Sequence, residues 1–269
     1  MQLTWLGAAG FKLDTREGAT LLIDPYLSRP EKANPVLPIR LADLAPVDEI
    51  LLTHGGFDHA LDTPALAEQT GAIVHAPGPV SRRLAELGVS AHCLQSITLR
   101  KIKAVGALTW QALPGQAERT EADPFVRVLM RGSLAIPQLR ALFEAWPSGE
   151  LVSYFFRAEG LSMIHFGSAG WVASEIQDLR PDIALLPVES KPDTSQKTAQ
   201  LVALLKPKVV IPHHWDNYYP PLSDLLDLTR FEAALQALPH KVRLYKPTIG
   251  ESFNLAELVT GTWDVGRSA

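Results

Sequence analysis

His54, Asp58 and His59 stand within six positions of one another, with Gly55 and Gly56 between the first and the others. Neutral imidazole and carboxylate are the usual ligands for zinc, iron and manganese, and glycines permit a loop tight enough to turn such groups toward one point. The chemistry open to such a group is that of a bound divalent ion, which lowers the pKa of its water and polarises a carbonyl or phosphoryl oxygen. Asp58 and His59 are adjacent, and a helix or strand splays neighbours apart. The reading therefore expects an irregular loop over the two.

The elements that must hold this loop come next. An apolar run over 49–52 reads as a short buried strand that ends at Thr53. Other strands end in polar residues in the same way: 20–23 runs into Asp24, 161–166 into Gly167 and Ser168, 183–188 into Glu189, and 209–211 into His213 and His214. Loops at the ends of parallel strands are where such sheets keep their chemistry, because several segments converge there on a rigid frame. Between the strands lie expected helices at 63–70, with Thr63 as cap and Pro64 in the first turn, and at 80–87, 173–179, 194–205 and 228–238. A hairpin turning at 7–10, strands at 72–75, 97–101, 107–112, 151–157 and 242–245, and a proline-rich surface loop over 27–46 complete the outline. Alternating strands and helices imply an α/β fold with parallel pairing. Residues 118–149 carry mixed signals and are expected to form a lid or a surface excursion.

The chain has 269 residues, 46% hydrophobic and 20% charged, enough for one large domain over 1–269 with a sizeable core. A net charge of -4 and the lack of any cluster of basic and aromatic residues argue against nucleic acid as a partner. The single cysteine, Cys93, allows no internal disulfide and is expected to be a buried apolar residue of a protein in a reducing compartment. No signal-like start and no run long enough to span a bilayer is read, so the expectation is a cytoplasmic protein acting on a small-molecule substrate or ligand, away from membranes. Its oligomeric state leaves no readable mark. His75, His92, His165 and His240 stand alone and are expected to pack, as is His213 if its strand continues.

Thr53-His54-Gly55-Gly56-Phe57-Asp58-His59 resembles the H-x-H-x-D-H loop of the metallo-β-lactamase superfamily. Trp5-Leu6-Gly7-Ala8-Ala9-Gly10-Phe11 and Leu22-Ile23-Asp24-Pro25 are similar to the opening of its lactonase-like branch, which contains ascorbate-6-phosphate lactonase and many uncharacterised metal-dependent hydrolases. Phe166-Gly167-Ser168-Ala169-Gly170 lies where that branch reads G-D-T-G, and Ile211-Pro212-His213-His214-Trp215 where it reads P-x-H. The resemblance implies a four-layer αββα sandwich of two mixed β-sheets, with the site at one edge. It also exposes departures. The second histidine of the loop is Gly56, no histidine stands near Pro114-Gly115-Gln116-Ala117, and the bridging aspartate is Ser168.

By that resemblance the first metal position keeps only His54, and the second keeps Asp58, His59 and His214. The implied protein is a hydrolase of ester, lactone or phosphodiester bonds with one divalent metal, zinc or manganese, in the second position. Asp58 would double as base and His54 would orient substrate or water. Asp24 resembles a residue that orients a ligand imidazole. Glu189 would be a replacement carboxylate, and Trp215 would line a substrate pocket. Two alternatives stay open: a catalytically inactive, metal-free member that binds a ligand or partner through the same pocket, and hydrolysis by Ser168 activated by His54 or His214.

Overall fold

The computed structural model describes residues 1–31, 33–116, 141–142, 144–147, 149–168, 170–188, 194–217 and 224–261. Six strands, β1 (Gln2–Gly7), β2 (Gly10–Asp14), β3 (Thr20–Ile23), β4 (Glu49–Leu51), β5 (Ile73–Ala76) and β6 (Leu94–Ser96), open the chain. They are followed by β7 (Lys103–Val105), β8 (Leu108–Pro114), β9 (Val152–Ala158), β10 (Leu161–Phe166), β11 (Ile183–Pro187) and β12 (Val209–His213). The short strands β13 (Asp216–Asn217), β14 (Asp224–Leu225), β15 (Arg243–Leu244) and β16 (Ser252–Asn254) complete the set among the described residues. One 7-stranded sheet has the order β16-β1-β2-β3-β4-β5-β6, and a second has the order β15-β12-β11-β10-β9-β8-β7. Both are mixed: β3 to β6 pair in parallel, as do β10, β11, β12 and β15, while the remaining pairs are antiparallel.

Side chains alternate across a strand, and here both sides of the central strands are covered. Leu21, Ile23 and Leu51 of the first sheet meet Ile183, Leu185, Val209 and Ile211 of the second in the core between the sheets. Their neighbours Leu22 and Ile50 point the other way, onto a layer built from Phe57, Leu66, Val80 and Leu84. Those residues lie in helices α1 (Phe57–Ala60), α2 (Thr63–Thr70) and α3 (Gly78–Glu86). Ala184, Leu186 and Val210 likewise face Ile176, Val202, Leu205 and Phe231, from helices α4 (Ala173–Ile176), α5 (Thr194–Leu205) and α6 (Thr229–Gln236). The result is the four-layer αββα sandwich. Among the described residues no helix is long and apolar enough to cross a membrane.

Several local expectations are corrected. Residues 97–101 are not a strand. There the chain passes from β6, on the edge of one sheet, to β7, on the edge of the other. Ile97 and Leu99 touch the shared core as single contacts, and Arg100 turns with a φ of 62°. Thr63 is the first residue of α2 rather than its cap. The carboxylate of Asp62 before it accepts the backbone N–H groups of Leu27 and Ser28 at 2.5 and 2.8 Å, tying down the proline-rich loop. The helix expected over 173–179 is one turn, Ala173–Ile176. The expected lid falls mostly on 117–140, outside the described residues.

One hydrogen bond joins the sheets directly beneath the loop that follows β4. The buried Tyr154 hydroxyl on β9 donates to the Leu52 carbonyl at 2.8 Å, and burial, with Asp24 and Glu49 nearby, raises its pKa well above the ordinary value. Tyr154→Phe keeps the ring and removes the donor. It should cost about 1–3 kcal/mol, the range for leaving a buried polar group unsatisfied, read as a lower urea midpoint at unchanged slope. An unchanged midpoint would show that this bond contributes nothing net.

Candidate metal centre

Four chain segments end at one edge of the sandwich: β3 in Asp24, β4 in the loop to His59, β10 in Gly167 and Ser168, and β12 in His214. The loop is pinned at its root. Asp24 accepts the Thr53 backbone N–H at 2.7 Å and the Thr53 hydroxyl at 2.5 Å, while the Thr53 carbonyl accepts from Val152 at 2.9 Å. Gly167 sits against this knot, because a Cβ there would lie 2.0 Å from Thr53 Oγ1 and 2.7 Å from Asp24 Oδ2.

Asp58 and His59 lie in the one-turn helix α1, not in an irregular loop. A single turn with glycine at its entrance still lets neighbours reach a common point beyond its end, where a longer helix would carry them onto separate faces. His59 Nε2 lies 3.7 Å and His214 Nε2 3.2 Å from Asp58 Oδ2, and one ligand atom from each of the three falls within 4.8 Å of the others. His59 turns its other nitrogen, Nδ1, to Asp24 Oδ2 at 2.8 Å. Burial works to raise the Asp24 carboxyl, but the His59 imidazole and its hydrogen bond prevail and hold it below its ordinary value. Asp24 is therefore a carboxylate that only accepts. His59 donates to it through Nδ1–H and keeps a lone pair on Nε2 for the cluster.

The His54 ring lies tilted against His59, with centroids 4.0 Å apart. Burial, reinforced by His59, pushes its pKa down to about 3. Ser168 is half-buried next to Gly167. Trp215 is half-buried beside His214, stacks on Trp5 at 5.4 Å and packs against both neighbouring cores. Glu189 lies outside the described residues. His213 packs as expected, stacked on buried His165 with centroids 5.0 Å apart and met edge-on by Phe11. His75 is buried against Trp110, 3.2 Å from Glu49.

Sequence reasoning missed a clamp behind His214. Both oxygens of buried Asp216 accept the Ala8 N–H, at 3.0 and 2.9 Å, and Arg29 Nη2 pairs with one of them at 2.6 Å. The Ala8 carbonyl in turn accepts the His214 N–H at 3.0 Å and the Trp5 indole N–H at 3.1 Å. Ala8, Asp24 and His214 all take left-handed backbone conformations, with φ of 46°, 44° and 61°. Such conformations in residues other than glycine cost energy and gather where surrounding structure enforces them. The available signal was an acid two positions after His214.

Residues 2–214 match the model of the beta-lactamase superfamily domain. The chain belongs to the metallo-β-lactamase superfamily. Among its relatives, a UPF0173 metal-dependent hydrolase of Anoxybacillus flavithermus is 30% identical over 262 residues, covering 95% of this chain and 100% of the relative. Another, from Polynucleobacter asymbioticus, is 29% identical over 249 residues, covering 90% of this chain and 82% of the relative. A metallo hydrolase of the archaeon Ignicoccus hospitalis shares the fold at a TM-score of 0.67 and 20% identity, covering 94% of this chain and 98% of that one. An isothiocyanate hydrolase from Delia radicum gut bacteria does so at 0.64 and 20%, with 95% and 99% covered.

Within the superfamily, Gly56 is the departure with the clearest geometry. A Cβ there would lie 2.8 Å from Asp58 Oδ1, 2.9 Å from His59 Cδ2 and 3.1 Å from His54 Nε2, so the site has closed around a bare α-carbon. Gly56→Ala should displace the mobile end of Asp58 and weaken zinc binding roughly 10–100-fold, the range known for disturbed supporting residues of metal sites, with little change in melting temperature. Competition against a chromogenic chelator measures this. Unaltered affinity would argue against Asp58 as a ligand.

Proposed function

We propose that this superfamily member is a hydrolase that works with one divalent metal, zinc or manganese, held by Asp58, His59 and His214, and that it cleaves an ester, lactone or phosphodiester bond in a small molecule. The observation that carries this is the convergence of the three groups. Ligands at about 2.0–2.1 Å from a tetrahedral ion stand roughly 3.3–3.4 Å apart, and the contacts of 3.2 and 3.7 Å to Asp58 Oδ2 lie near that spacing, with all three ligand atoms within 4.8 Å of one another. One carboxylate with two imidazoles is the donor chemistry of a catalytic site with an open position. The fixed Nδ1–H of His59 on Asp24 supports the same reading, since a ligand imidazole donates its second nitrogen to just such a partner.

When bound, the ion supplies Lewis acidity toward water and toward a carbonyl or phosphoryl oxygen. The chain's own residues supply the rest. Asp24 fixes the tautomer and angle of His59, and the Asp216 clamp fixes the turn that carries His214. Asp58 offers its second oxygen as an acceptor for the proton of an attacking water. His54 faces the same space and orients water or substrate.

Elemental analysis of protein purified without added metal or chelator, repeated after soaking in zinc or manganese, tests the reading. About one equivalent per chain is expected, as for a three-ligand catalytic site. No metal under either condition would favour the inactive, ligand-binding alternative. Activity that survives chelation but is lost in Ser168→Ala would transfer the chemistry to Ser168.

A further inference from the structure

Thr53 touches neither substrate nor the ligand cluster, yet its hydroxyl sits between two groups whose hydrogen-bond roles are already decided on one side. Asp24 is an ionised carboxylate and accepts from Thr53 Oγ1 at 2.5 Å. A hydroxyl has one hydrogen, and this geometry commits it to Asp24. The same oxygen lies 3.1 Å from His54 Nδ1. With its hydrogen committed, Oγ1 can only accept there, so His54 Nδ1 must carry a hydrogen. The other ring nitrogen, Nε2, then bears a lone pair. It points toward the α-carbon of Gly56, 3.1 Å from where a Cβ would stand, on the side that also holds Asp58 Oδ1.

We infer that Thr53 is a positioning residue that relays the polarity of Asp24 to His54, fixing the Nδ1–H tautomer and presenting His54 Nε2 to the site as an obligatory hydrogen-bond acceptor. One buried carboxylate thereby sets two imidazoles alike: His59 directly and His54 through a hydroxyl. The backbone of Gly167 closes on the relay from behind, where any side chain would collide with Thr53. The tautomer follows from hydrogen-bond counting on an ionised Asp24, whereas its use rests on the hydrolytic reading above. On that reading, whatever is placed against His54 must bring a hydrogen: water, a hydroxyl or an amide N–H. A phosphate or carboxylate oxygen in that place meets a lone pair and is disfavoured. The scissile group's charged oxygens are therefore directed to the cluster side, and a donor group of the substrate, or the water itself, to the His54 side.

Long-range nitrogen–proton correlation spectra of protein labelled with 15N-histidine test the relay in the full chain, with the His54 signals assigned by their disappearance in His54→Gln. The wild type should show His54 Nδ1 as a protonated, pyrrole-type nitrogen and Nε2 as an unprotonated, pyridine-type nitrogen. Thr53→Val should shift His54 toward the Nε2–H form, and Thr53→Ser should restore the wild-type pattern. A wild-type spectrum with Nε2 protonated overturns the inference, whether or not Thr53→Val folds, and so does a wild-type pattern retained in folded Thr53→Val. The measurement is made with chelator present, so failure to find a metal would strike the hydrolytic reading and leave this result standing.

Discussion

Asp58→Ala is expected to leave a folded protein that no longer holds metal or hydrolyses anything. Asp58 is the hub of the cluster, with its Oδ2 3.2 Å from His214 and 3.7 Å from His59. Removing it leaves two neutral imidazoles, and with them neither the negative charge nor the third donor that catalytic sites of this type retain. Disturbing a supporting residue already costs about 10–100-fold in affinity, so loss of a ligand should exceed that, roughly 1,000-fold or more. Some stability should be lost as well, because the side chain is only 15% exposed and paired with His214. Elemental analysis beside a circular-dichroism melt separates the two effects. Wild-type metal content in a folded Asp58→Ala protein would sink the proposed ligand set.

A second large effect is expected from acid. Burial is the leading cause that depresses three imidazoles: His54 to about 3, His165 to about 4, and His213 well below its ordinary value. A histidine in the unfolded chain takes its proton near pH 6.5. Between that pH and about 4 the unfolded chain thus binds protons that the folded chain refuses. The stability these groups allow is fully present above pH 6.5 and is lost as pH falls. Each contributes a slope of up to about 1.4 kcal/mol per pH unit, so three approach roughly 4 kcal/mol per unit. Two such units match most of the 5–15 kcal/mol that typically holds a domain folded. Asp24 works in the same direction but at lower pH, since its depressed pKa stabilises the fold and that contribution is lost only as pH falls below about 4; over the window in question the histidines decide. Urea titrations at pH 7, 6 and 5 with chelator present should show a steep fall, and His213→Gln should flatten it by about a third. Stability that is level down to pH 5 would contradict the assigned protonation states.

The layers were legible in the sequence because strands buried on both faces read as unbroken apolar runs. The run 20–23 is β3 residue for residue, and the spacing of polar tips correctly gathered Asp24, His54, Asp58, His59 and His214 at one edge. What failed depended on contacts between distant segments. Ile97 and Leu99 alternate like a strand but bridge two sheets at their edges, and periodicity cannot tell a paired residue from a lone core contact. The tie from Asp62 was not legible beside a plausible Thr63 cap, because its partners, Leu27 and Ser28, are in another loop. The stacking of Trp215 on Trp5 was not legible because the two lie at opposite ends of the chain. The Asp216 clamp was hidden for the same reason, its partners being Ala8 and Arg29.

The three left-handed residues at the site carry a lesson for anyone engineering heat resistance into this enzyme fold. Ala8, Asp24 and His214, with φ of 46°, 44° and 61°, occupy a conformation that glycine adopts without penalty. At Ala8 a glycine would relieve the conformation but remove a methyl group buried in the helix-facing core. At the other two the same relief would delete the imidazole or the carboxylate on which the site is built. Part of the molecule's backbone strain is thus tied to its site, and a screen that selects for melting temperature alone would tend to select against that site.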